Sequence, residues 1–137
     1  MFPKIIKVLI CDDMPAIRDM VGRELRQLGY TQRTSAADGD EAWKFYTESL
    51  SRDPFGLIIS DWNMPKITGL EFLIKVRSNP LGSDTPFILL TAEGQKEQVL
   101  DAISSGVTQY ILKPFSSKNF EEKLRSAWHK VSSQKSA

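Results

Sequence analysis

The segment Ile5-Ile6-Lys7-Val8-Leu9-Ile10-Cys11 carries one charge among six apolar side chains and runs directly into Asp12-Asp13. A strand with one wet face would alternate apolar and polar residues. A β-branched run that is apolar on both faces predicts a strand covered on both sides, as in a parallel sheet between helix layers. The residues beyond Asp13 agree with a helical crossover. Pro15 suits a first helical turn. Ile17, Met20, Val21, Leu25 and Leu28 recur at helical spacing, and Gly29 ends the segment.

The same alternation continues along the chain. Residues 31–36 read as a weaker, polar strand suited to a sheet edge. Asp38-Gly39 is a turn, and Ala42, Trp43, Tyr46 and Leu50 mark one face of a second helix. Residues 55–60 form a third strand, and Asp61 to Thr68, with Pro65 inside, a long loop. Gly69 opens a third helix through Leu70, Leu73, Ile74 and Val76. Residues 86–90 are a fourth strand, and 96–105 a short helix with Val99, Leu100 and Ile103 inward. Residues 109–112 are a fifth strand. Ser117 caps a last helix whose stripe is Phe120, Leu124, Ala127, Trp128 and Val131. Five βα units predict an α/β fold, a five-stranded parallel sheet with five helices on both faces. Five units do not close an eightfold barrel, which leaves an open three-layer sandwich.

Composition bounds the function. The chain has 137 residues, 41% of them hydrophobic, and a net charge of +1. That is the profile of one globular domain, expected over residues 1–131 with 132–137 a frayed polar tail. A near-zero charge argues against nucleic acid as a partner, because phosphate contacts call for a basic surplus. The single cysteine, Cys11, excludes a disulfide framework and a multi-cysteine zinc site, and reads as a small core residue. No apolar stretch approaches the roughly 20 residues that span a bilayer, and no signal peptide is evident. The expected location is the cytoplasm, with no membrane partner.

In an open α/β sheet, ligands bind outside the carboxyl ends of the strands. Asp12-Asp13 follows the first strand, Asp61 the third, Thr91 the fourth and Lys113 the fifth. Three carboxylates gathered there would raise one another's pKa unless a cation relieved them. Hard oxygen donors with open positions suit Mg²⁺. Lys113 makes a second positive pole, and an anion such as phosphoryl fits between the two, with Thr91 donating to it. The pattern points to Mg²⁺-dependent phosphoryl transfer to an aspartate. Asp61, at the end of the most apolar strand, is the best nucleophile candidate. Asp12 and Asp13 are better metal ligands. There is no G-x-x-x-x-G-K-[ST] loop, and the only histidine, His129, lies on a polar helix face.

These residues, with Ser60-Asp61-Trp62-Asn63-Met64-Pro65, Gly69-Leu70-Glu71, Thr91-Ala92-Glu93, Tyr110, Lys113-Pro114-Phe115 and Glu121-Glu122-Lys123-Leu124, make the chain resemble the receiver domain of bacterial two-component response regulators. Within that family it is most similar to the single-domain chemotaxis regulators. The resemblance implies strand order 2-1-3-4-5 in a flavodoxin-like sandwich. It implies that Asp61 accepts phosphoryl from a phosphohistidine on a chemotaxis-type histidine kinase. Asp13, Asp61 and the Asn63 carbonyl would hold Mg²⁺ directly and Asp12 through water. Lys113, Thr91 and the Ala92 N–H would bind the phosphoryl oxygens, and Lys113-Pro114 would be cis. Asn63 and Glu93 would flank the water that removes the phosphoryl group. On phosphorylation Thr91 would move toward the phosphoryl group and Tyr110 would turn inward into the space vacated, reshaping the face of the fourth helix, fifth strand and fifth helix. That face includes Lys96, Val99, Tyr110, Leu112 and Lys123. The partner implied is the flagellar motor switch protein FliM, with a dedicated phosphatase for clearance and the regulator itself a monomer. A phosphorelay intermediate or phosphate sink, passing phosphate to a histidine phosphotransferase, is the alternative. A phosphatase with an Asp nucleophile would need a second acid two residues on, where Asn63 stands. The chain departs from the family pattern at Thr68, at Thr108-Gln109 and in the longer loop at 51–54.

Overall fold

Strands and helices alternate without exception: β1 (Val8–Cys11), α1 (Pro15–Gln27), β2 (Arg33–Ala36), α2 (Gly39–Ser49), β3 (Leu57–Asp61), α3 (Gly69–Ser78), β4 (Phe87–Ala92), α4 (Lys96–Ser104), β5 (Gln109–Lys113) and α5 (Ser117–Ser136). A computed structural model of the chain describes residues 1–92 and 94–136. The five strands form one sheet in the order β2-β1-β3-β4-β5, every neighbouring pair parallel. The expected architecture and strand order hold.

Alternate strand residues point to opposite faces, which is why the central strands are apolar throughout. Val8, Ile10, Leu57, Ile59, Ile88 and Leu90 bury into a core shared with α1 and α5, through Val21, Leu25, Phe120, Leu124 and Ala127. Leu9, Cys11, Ile58, Phe87 and Leu89 face the other way, toward α2, α3 and Ala102 of α4. Trp43, Tyr46, Phe72 and Phe87 pack there with ring centroids 5.5–6.4 Å apart. β2 at the edge is largely exposed, as its polar residues predict.

Several boundaries differ from the expectation. β1 begins at Val8, because the Ile6 N–H closes a turn onto the Pro3 carbonyl and Ile5 is left 78% exposed. The last helix is capped by Ser116, whose Oγ accepts the Asn119 N–H at 3.0 Å. Ser117 instead donates to Glu24 on α1 at 2.8 Å. The backbone of α5 continues past Val131 to Ser136, since residues 132–136 contain no Gly or Pro to break it. Ala137 lies outside the described residues.

The larger correction concerns α4. Of its expected inward residues, Leu100 and Ile103 are 57% and 56% exposed, and Val99 is half-buried. Small Ala102 is the residue that the helix buries. On α3, Ile74 likewise faces solvent, while Phe72, Leu73 and Val76 pack inward. In both helices apolar side chains outnumber the positions on the buried stripe, so composition overstates its width.

Candidate functional site

Register sets the site. Cys11 pairs with Ser60, so Asp12 and Asp61 leave adjacent strands at the same level. Asp61 pairs with Leu90, Thr91 with Leu112 and Ala92 with Lys113, which brings all five strand-end groups to one edge of the sheet. Gly69 lets α3 start against the end of β3. A Cβ there would overlap the Asp61 carbonyl oxygen and lie 2.9 Å from Leu89. Thr68 caps α3 through a full capping box with Glu71, so the departure at this position preserves the cap.

Asp12 and Asp61 are buried and Asp13 is exposed. One carboxylate oxygen from each of the three lies within 4.8 Å of the others. The Lys113 ammonium is 2.6 Å from Asp61 Oδ1 and 3.5 Å from Asp12 Oδ2. Asp12 Oδ1 also accepts the Met14 N–H at 2.9 Å. Burial pushes the Asp12 carboxyl up, opposed by the Met14 N–H; the Asp61 carboxylate adds to the rise, and Lys113 opposes it. Burial, and then the charge of Asp12, push the Cys11 thiol far up, so it stays protonated in the core. Three carboxylates facing one ammonium leave a net negative pocket of hard oxygen donors, which fits Mg²⁺.

Thr91 is buried, and its hydroxyl donates to Gln98 Oε1 on α4 at 2.8 Å. Asn63 is exposed in the β3–α3 loop and Ala92 at the end of β4. Glu93 lies outside the described residues. Lys113-Pro114 is cis. Trp62, beside Asp61, is half-buried against the α2–α3 core. Tyr110 is half-buried with Lys123 Nζ 4.5 Å from its ring centroid, Lys96 is exposed, and Leu112 is 37% exposed. His129 is exposed. Thr108, one of the departures from the family pattern, is buried, and its Oγ1 accepts the Phe87 N–H at 3.0 Å.

Two contributors carry no signal in the sequence. Arg18 Nη1 donates to the Asp12 carbonyl at 2.7 Å, a reach of one helical turn that nothing in the motif spacing marks. Gln98 is the other, and only the path of the chain between β4 and α4 brings it to Thr91. A cleft of about 660 Å³ between α1 and β2, lined by Arg18, Arg23, Arg26 and Arg33 among others, contains none of the three carboxylates.

A 2-1-3-4-5 parallel sheet with paired aspartates, a further aspartate, a hydroxyl and a lysine at its carboxyl edge is the arrangement of a signalling receiver domain. The family description "response regulator receiver domain" matches residues 8–125, and the chain belongs to that family. It is 38% identical over 119 residues to the chemotaxis protein CheY homolog of Campylobacter jejuni, covering 87% of this chain and 89% of the relative. The structure of the chemotaxis response regulator CheY4 of Vibrio cholerae aligns with a TM-score of 0.77 at 36% identity, over 89% of this chain and 98% of that one. The receiver domain of the sensor histidine kinase PA1611 of Pseudomonas aeruginosa aligns with a TM-score of 0.73 at 25% identity, over 93% and 98%; its structure has a magnesium ion coordinated in the active-site cleft. Among the described residues no helix is long and apolar enough to cross a membrane.

Proposed function

We propose that the protein is a cytoplasmic chemotaxis response regulator whose Asp61 carboxylate takes a phosphoryl group from a phosphohistidine of a sensor kinase. The carrying observation is the pocket itself: a buried Asp61 level with Asp12 and gripped by Lys113 at 2.6 Å. In the transfer, an Asp61 oxygen forms the new P–O bond as the P–N bond breaks. The electron pair of the broken bond returns to the imidazole nitrogen. Lys113 would neutralise the phosphoryl oxygens, assisted by the Thr91 hydroxyl and the Ala92 N–H. Asp13, Asp61 and the Asn63 carbonyl, with Asp12 through water, would hold a Mg²⁺ that offsets the negative charge of the phosphoryl group and carboxylates. Asn63 and Glu93, two residues past Asp61 and Thr91, would flank the water that later hydrolyses the acyl phosphate, as the resemblance to the family implies.

The output is a reshaped α4–β5–α5 face. Support comes from the exposed apolar side chains Leu100, Ile103 and Leu112, and from the ring of Tyr110, which is only half-buried. Lys96, Val99 and Lys123 border it. The flagellar motor switch protein FliM is the partner that the resemblance to chemotaxis regulators implies. The experiment adds Mg²⁺ and beryllofluoride or a small phosphoryl donor, follows tryptophan fluorescence, and titrates a FliM N-terminal peptide before and after. Asp61→Asn is expected to take no phosphoryl group, and wild type to bind the peptide more tightly once activated. Uptake by Asp61→Asn would refute the acceptor assignment. Activation without a gain in peptide affinity would refute the motor output and favour a relay or phosphate sink.

A further inference from the structure

A threonine hydroxyl has one proton to donate. In this structure Thr91 gives it to Gln98 Oε1 at 2.8 Å. A phosphoryl oxygen on Asp61 would need the same proton. The two acceptors therefore compete for one donor, and they sit on different parts of the molecule. One would be carried by β3, and the other rides on the first turns of α4.

The tether matters because α4 has little else to hold it. Among the described residues this is the one side-chain hydrogen bond that joins α4 to the sheet. The helix buries Ala102 alone, turns Leu100 and Ile103 outward, and begins at Gln95 without a side-chain cap. Its unassisted start and narrow buried face place it at the low-stability end of the fold.

We propose that Gln98 is a positioning residue that latches Thr91 in the unphosphorylated state, so that phosphoryl binding at Asp61 and release of α4 are one event. Taking Thr91 away from Gln98 frees the N-terminal half of α4. By reciprocity, a partner that draws Gln98 away from Thr91 tightens the hold on the phosphoryl group. This latch rests on Asp61 being the acceptor.

The test is a double-mutant cycle on the full chain, with beryllofluoride plus Mg²⁺ as the probe and tryptophan fluorescence as the readout. Gln98→Leu removes the competing acceptor and is expected to tighten beryllofluoride binding about 5-fold. Gln98→Met, of similar length, is expected to do the same, and thermal unfolding checks that both variants fold. In a Thr91→Ala background neither substitution is expected to shift the affinity by more than about 1.5-fold. Equal tightening in both backgrounds would show that Gln98 acts on α4 and not through the hydroxyl, and would overturn the latch. So would no tightening beside an intact Thr91. If wild type fails to bind the probe at all, the acceptor assignment falls and the latch with it; binding without a Gln98 effect removes the latch alone.

Discussion

Lys113 stands as a counter-ion 2.6 Å from Asp61 and 3.5 Å from Asp12, and it occupies ground that both a cation and an anion need. Its charge opposes Mg²⁺ and favours phosphoryl, so removing it should split the two affinities. Lys113→Met is expected to bind Mg²⁺ about 5-fold more tightly, because a repelling charge is gone. The same variant should bind beryllofluoride at least about 10-fold more weakly, because a charge-assisted contact is lost. Calorimetric titration of each ligand checks both; weaker Mg²⁺ binding would mean that Lys113 organises the carboxylates instead of competing with the metal. At this scale much of the site was legible. Asp12, Asp61, Thr91 and Lys113 each sit at or just past the end of an apolar strand, and strand ends of a parallel sheet converge by geometry. Gln98 and Arg18 were not legible. Each reaches the site from a helix, at a distance set by how the intervening loop is folded.

Among elements, the two edges of the sheet are braced differently, and substitutions there should separate stability from function. At the edge opposite the carboxylates, Arg77 of α3 donates to the Thr85 carbonyl at 2.7 Å, the Gly106 carbonyl at 2.8 Å and Thr108 Oγ1 at 3.4 Å. One guanidinium thus ties the segments that lead into β4 and β5. Arg77→Ala should cost about 2–3 kcal/mol in urea unfolding, because two carbonyls lose a charged donor. The folded variant should bind beryllofluoride as wild type does. At the carboxylate edge, Gly69→Ala should both destabilise the fold and weaken beryllofluoride binding, since its Cβ displaces the Asp61 carbonyl. If Gly69→Ala lowers stability but leaves that affinity unchanged, the β3 end relaxes without moving the acceptor. Elements were legible as to type and order, because apolar runs and helical periods alternate cleanly along the chain. The facing of α4 was not. With Val99, Leu100, Ala102 and Ile103 all apolar, the helix offers two candidate stripes, and the one it buries carries the smallest side chain. The role of Thr108 was not legible either: its hydroxyl serves the Phe87 N–H, a partner only the β4–β5 pairing reveals.

On the scale of the whole molecule, the acidic pocket couples the site to global stability. Both cores meet at the central strands, and β1 and β3 end in the carboxylates that repel one another. Bringing Asp12, Asp13 and Asp61 within 4.8 Å is a cost of the native state that the unfolded chain does not bear. A cation bound there stabilises only the folded form. At a Mg²⁺ concentration ten times its dissociation constant the gain is about 1.4 kcal/mol, which for a domain of this size raises Tm by about 4 °C. Sodium at equal ionic strength should give little of this, because screening does not replace inner coordination. Asp13 is exposed, so Asp13→Ala should fold, and relief of repulsion should leave its Mg²⁺-free Tm equal to or above that of wild type. Its Mg²⁺-dependent rise should fall below about 1 °C under the same conditions. Thermal unfolding of both proteins, with and without Mg²⁺, decides the matter. An undiminished rise in Asp13→Ala would place the stabilising cation somewhere other than among these three carboxylates.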